Sequence, residues 1–114
     1  MEKLVISGGN KLSGTVKISG AKNAVLPIIA ATLLGTSPSI LEEIPDLEDV
    51  RTFGQVLEHL GVTVRRGDAQ TLHIDTSDIT SCEAPYELVR KMRASFLVLG
   101  PLLARCGQAK ISLP

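Results

Sequence analysis

Aromatic side chains are scarce in this chain of 114 residues: they make up 3%, and tryptophan is absent. Base-stacking platforms of the single-strand nucleic-acid binders need aromatics, so that class is excluded. Charge of one sign is lacking too. Lysine and arginine total 12, aspartate and glutamate total 12, and the formal net charge is zero. There is accordingly no basic footprint for nucleic acid or for an acidic membrane surface. The only cysteines are Cys82 and Cys106, without metal-type spacing, and His59 and His73 stand alone. The cysteines read as reduced thiols of a cytoplasmic protein, and no metal ligand set is expected. The opening Met-Glu-Lys-Leu-Val-Ile-Ser-Gly-Gly has neither the apolar run nor the cleavage site of a signal peptide. The apolar stretches Val25–Leu34 and Ala94–Ala104 each carry a proline. Both fall short of the roughly 20 residues needed to span a bilayer, so they read as buried helices.

What is present is aliphatic. Hydrophobic residues make up 44% of the chain, enough for one small domain whose core is Leu, Ile, Val and Ala. Leu4-Val5-Ile6 and Thr15-Val16-Lys17-Ile18 read as short strands, paired as a hairpin across Gly8-Gly9-Asn10. An apolar helix follows. Pro27 fits only near a first turn, which places the helix start close to Lys22, and Gly35 ends it. Pro38-Ser39-Ile40-Leu41 leads into a strand of roughly four residues. Asp46, with Asp49 three residues on, predicts a capped start for a second helix. Leu47, Val50, Gly54, Leu57 and Gly61 form its apolar stripe, while Glu48, Arg51, Gln55 and Glu58 face water. Val62–Arg65 and Thr71–Ile74 alternate about a Gly67-Asp68 turn, a hairpin signal. Arg66-Gly67-Asp68 is a chance likeness to an adhesion tripeptide; Gly-Asp is what the turn geometry wants. A third helix is predicted from Pro85 to Ala104 with a kink at Gly100-Pro101, then a strand at Ala109–Leu113. Helices and strands mix, so the fold class is α/β, in the broad sense that includes α+β, with helices covering a sheet.

Chemistry concentrates at Ser19-Gly20-Ala21-Lys22-Asn23-Ala24. Small residues there let other groups approach the backbone. The first N–H groups of a helix have no partner inside it, and its dipole is positive at that end. With the Lys22 ammonium they suit an anion, most naturally a phosphate, and Asn23 adds an amide that donates and accepts. Spacing alone favours the ordinary alternative, a solvated lysine at a strand–helix junction, because one lysine at a helix start is not a motif of the P-loop kind. The basic cluster Arg90, Lys91 and Arg93 likewise reads by itself as a solvated face.

Several stretches together carry a resemblance. They are Gly8-Gly9-Asn10-Lys11-Leu12-Ser13-Gly14, Ser19 to Ala24 with Leu26-Pro27, and Ile44-Pro45-Asp46-Leu47-Glu48-Asp49-Val50. Further on come Tyr86 to Arg90, Met92-Arg93-Ala94-Ser95, Leu99-Gly100-Pro101-Leu102-Leu103-Ala104-Arg105, and Gly107-Gln108 to Ser112-Leu113-Pro114. In this order they resemble the opening part of the UDP-N-acetylglucosamine 1-carboxyvinyltransferases, of the enolpyruvyl transferase family. The Ile-Pro-Asp-Leu and Gly-Pro-Leu-Leu-Ala-Arg stretches favour these over the sister enzymes that act on a shikimate phosphate.

The resemblance implies two domains, each an inside-out α/β barrel. Residues 1–20 would be hairpin strands of the second domain, and 21–114 the first part of the N-terminal domain. It implies that Lys22 and Asn23 contact phosphoenolpyruvate, the lysine through its phosphate, and that Arg93 helps bind the phosphates of UDP-N-acetylglucosamine. The chemistry it implies, transfer of enolpyruvyl to a sugar hydroxyl in peptidoglycan synthesis, requires no metal or organic cofactor. The family's catalytic cysteine lies in a Gly-Gly-Cys loop after Ser-Leu-Pro, and neither Cys82 nor Cys106 stands in such a sequence. No catalytic residue is therefore assigned within the chain, which reads as a piece of a longer protein, inactive alone. The alternative function is a non-catalytic phosphate- or nucleotide-binding or structural piece of a related protein.

Overall fold

Amphipathic periodicity places the longest helix where expected. In the computed structural model, which describes residues 1–68 and 70–113, α2 runs Glu48–His59. It buries Val50, Phe53, Val56 and Leu57 and leaves Glu48, Arg51, Gln55 and Glu58 exposed. Gly61 follows it with φ +98, and a Cβ there would meet Thr80 Oγ1 at 2.5 Å, so both backbone and space require glycine. The Asp46 cap does not form. Leu47 is the N-cap and no side chain caps the helix, because the helix starts two residues after Asp46. Asp46 is instead drawn to Arg51, 2.6 Å away.

Helix α1 is Lys22–Ala31, continued by a 3₁₀ turn at Thr32–Leu34. Pro27 is not in the first turn as expected: it lies inside α1 as its sixth residue and removes the N–H that would bond the Asn23 carbonyl four residues back, a cost that the buried faces of Val25, Leu26, Ile29 and Ala30 offset. Strand β1 is Ser39–Leu41, β2 Thr63–Arg66 and β3 Leu72–Asp75. They form an antiparallel sheet of order β1-β3-β2, with Val64 opposite Ile74 and Ile40 opposite His73. The hairpin read at 62–74 is thus present. The inward side chains Leu72 and Ile74 join the core under α1 and α2.

The third helix is not continuous. Tyr86–Val89 forms a single turn, α3; Met92 is extended (φ −158, ψ 119); Arg93–Val98 is 3₁₀; and α4 runs Leu99–Cys106. Pro101 is the third residue of α4, where its missing N–H would have no intrahelical partner, so the break falls before Leu99 and not at Pro101. Short strands β4, Glu83–Ala84, and β5, Lys110–Ile111, pair in parallel. Pro114, the end of the matched Ser-Leu-Pro, lies outside the described residues.

Two further expectations are corrected. Residues 1–20 carry no strand, so the 4–18 hairpin is not formed: Leu4, Val5, Ile6, Val16 and Ile18 are all exposed and have no apolar surface to pack on. Cys82 and Cys106 are not free thiols. They form a disulfide, because β4 and the end of α4 bring their Cα atoms to 6.6 Å, within bridging distance. Among the described residues no helix is long and apolar enough to cross a membrane, and no group of three or more potential metal ligands occurs.

Candidate anion site at the start of helix α1

Gly20 fixes how the chain enters α1. A Cβ there would lie 2.5 Å from the Glu43 carbonyl oxygen, so only glycine lets the two backbones pass this closely. The helix then opens without help. Ala21 is the N-cap in extended geometry, no side chain caps the helix, and its first turn carries no acidic residue. The positive end of α1 is therefore open to an external anion. Asn23 is exposed on this first turn. A cavity of about 160 Å³ lies immediately before it, lined by Lys17, Ile18, Ser19, Gly20, Glu43 and Gln70.

The charge at this end is already engaged. Lys22 Nζ lies 3.0 Å from Asp49 Oδ2, with both side chains about half to a third exposed. The partner comes from the first turn of α2, which packs against α1. Lys17 faces Glu43 at 3.3 Å, an exposed pair of small worth. Arg51 bridges Asp46 and Glu48, and the hydrogen bond to Asp46 holds its proton more tightly than usual.

Arg93 opens the 93–98 turn, is exposed, and has no ion pair among the described residues. Arg90 is paired with Glu87 at 3.3 Å, as a surface residue should be. The 93–98 turn packs against α1, so Lys22 and Arg93 start two adjoining segments. Among the described residues no hydrogen bond or ion pair joins them. His59 and His73 take no part in this arrangement.

Sequence reasoning missed what braces the other end of α1. The Arg105 guanidinium donates to the carbonyls of Leu33 (3.0 Å), Gly35 (2.5 Å), Thr76 (2.6 Å) and Ser77 (3.4 Å). The fully buried Thr76 hydroxyl bonds the carbonyls of Gly35 and Thr32, at 2.9 and 3.1 Å. A cation on the last carbonyls of a helix complements its negative end, and these partners are some 70 and 30 residues away in the chain, beyond any local pattern. The Lys22–Asp49 pair was equally hidden, since Asp49 reads locally as a capping residue.

A sequence profile described as EPSP synthase (3-phosphoshikimate 1-carboxyvinyltransferase) matches residues 6–114. Proteins named UDP-N-acetylglucosamine 1-carboxyvinyltransferase are similar over the whole chain: 59% identical in Chlorobaculum parvum, 53% in Desulfatibacillum aliphaticivorans and 52% in Wolinella succinogenes. The chain spans 27% of the length of each. Among solved structures, the enolpyruvyl transferase NikO from Streptomyces tendae superposes with a TM-score of 0.73 at 31% identity, over 88% of this chain and 23% of that one. A profile match over residues 6–114, with a structural neighbour of the same mixed α/β kind, places the chain in the EPSP synthase (3-phosphoshikimate 1-carboxyvinyltransferase) family.

Proposed function

We propose that the protein to which this chain belongs transfers enolpyruvyl from phosphoenolpyruvate to UDP-N-acetylglucosamine, releasing phosphate, as a cytoplasmic step of peptidoglycan synthesis. The observation that carries the reading is the identity of 59%, 53% and 52% to proteins of that name over the entire chain. The sugar hydroxyl adds to the enolpyruvyl double bond, and phosphate then leaves. Such chemistry builds up charge that fixed cations and dipoles stabilise. Lys22 and the open N–H groups of α1 take the phosphate of phosphoenolpyruvate, and Asn23 holds its orientation. Arg93, unpaired among the described residues, takes the nucleotide's phosphates. Residues 21–114 then form the first part of an inside-out α/β barrel, and 1–20 pair with the second domain. The exposure of Leu4, Val5, Ile6, Val16 and Ile18 supports that assignment. No residue within the chain is given a catalytic role, and the 114-residue chain alone should release no phosphate from the two substrates.

Asp49 adds a condition. A phosphate must compete with this carboxylate for the Lys22 ammonium. Calorimetry of both substrates on the intact protein tests the reading. Hydrogen bonds to charged groups contribute roughly 1.5–3 kcal/mol, so Lys22→Ala should weaken phosphoenolpyruvate about ten- to a hundredfold. Asp49→Asn, which releases the ammonium, should strengthen it. UDP-N-acetylglucosamine should respond to Arg93→Ala and little to Lys22→Ala. Normal phosphoenolpyruvate affinity in Lys22→Ala would reduce Lys22 to a surface ion pair and remove the site.

A further inference from the structure

We infer that Cys82 and Cys106 form a reversible dithiol–disulfide staple that governs whether β5 is held on β4. The pair joins the residue before β4 to the last residue of α4, across 24 positions of sequence. What it holds is slight. The β4–β5 ladder has only two residue pairs, Glu83 with Lys110 and Ala84 with Ile111. It is extended by one bond from the Lys110 N–H to the Cys82 carbonyl, at 2.9 Å. The Lys110–Glu83 ion pair is 4.0 Å long and largely exposed, so it adds little. A two-stranded pair of this size is marginal by itself. Ala109 and Ile111 also pack against the core, and the covalent bond adds a tether from the residue before β4 to a point four residues before β5.

The sulfurs are placed for exchange. Both cysteines are half-buried, and Cys82 lines two neighbouring surface cavities of about 320 and 660 Å³. Cys106 lines one of them and packs against the apolar core. Cys82 is thus the sulfur open to a small-molecule disulfide and Cys106 the resolving partner. Starting from two thiols, the Cys82 thiolate attacks one sulfur of the small disulfide and expels a thiolate, leaving a mixed disulfide. The Cys106 thiolate then attacks the Cys82 sulfur and expels the second. Two protein thiols and one disulfide become a protein disulfide and two small thiols, with the two thiol protons passing to the leaving groups. Excess small thiol drives the same steps in reverse.

The test equilibrates the intact protein in mixtures of reduced and oxidised glutathione, traps free thiols by alkylation and counts them by mass. Hydrogen exchange is read in parallel. The pair should pass from dithiol to disulfide across the series. In the dithiol state the Lys110 amide, which bonds the Cys82 carbonyl, should exchange about tenfold faster, while those of α2 stay unchanged. The double variant Cys82→Ala/Cys106→Ala should show the fast exchange at every ratio. A pair that remains in one state throughout, or equal exchange at Lys110 in both states, overturns the inference.

Discussion

Residues 1–19 and residues 21–68 hold the same kinds of aliphatic side chain and use them in opposite ways. Val5 and Ile18 are 85% and 87% exposed, whereas Leu33, Phe53 and Val56 are 0% exposed. The alternating pattern at Thr15–Ile18 is as regular as that at Leu72–Asp75, yet only the second becomes a strand. Pattern sets which face would be buried; a surface to bury it against sets whether the element forms. The β2–β3 hairpin has α2 above it, and the first segment has nothing.

That contrast can be broken most forcefully at its buried end. Phe53→Ala removes a fully buried ring at the centre of the core. It should cost about 3–5 kcal/mol, read as a lower denaturant midpoint. Next comes the brace at the far end of α1. Arg105→Ala leaves the carbonyls of Leu33, Gly35 and Thr76 without their shared donor. A loss of about 1–3 kcal/mol is expected, with faster amide exchange around Thr32–Leu34 as its local sign. A smaller effect is tied to pH. The Ser77 hydroxyl and backbone N–H bond the Asp75 carboxylate and hold its pKa below the usual value. The folded state therefore gains stability from Asp75 above the ordinary carboxylate pKa, and loses it as pH falls through the depressed folded value. Asp75→Asn should flatten that part of an acid titration below about pH 4. At the exposed end, Val5→Ala should change the stability of this chain by no more than about 0.5 kcal/mol. A larger loss there would mean that the first segment packs after all.

Legibility followed the range of the interactions. Helix α2 and the 63–75 hairpin were readable because period and turn residues act within a few positions; the start of α1 was placed near Lys22, though Pro27 sits deeper in the helix than a first turn. The break between α3 and α4 was not readable, because Leu88, Met92, Ser95, Leu99 and Leu103 keep a helical period straight through the extended Met92. Lys22 and Asn23 were readable as a candidate anion-binding pattern, although spacing alone favoured a solvated junction lysine. Their setting was not: Asp49 reaches Lys22 only through the packing of α2 on α1. The disulfide was missed for the same reason, since the bridging distance depends on where β4 and α4 end.

The first nineteen residues also decide how large the molecule looks in solution. The Cα radius of gyration is 17.5 Å and the principal extents are 58 × 36 × 19 Å. A compact chain of this length would have a radius of gyration of about 13 Å. Residues 1–19 are exposed throughout, and an unpacked end raises the radius of gyration beyond its share of the mass, because each residue counts by the square of its distance from the centre. A surface that captured residues 1–19 would shorten the particle's longest dimension while adding mass to it, and the pair-distance distribution would record both changes at once.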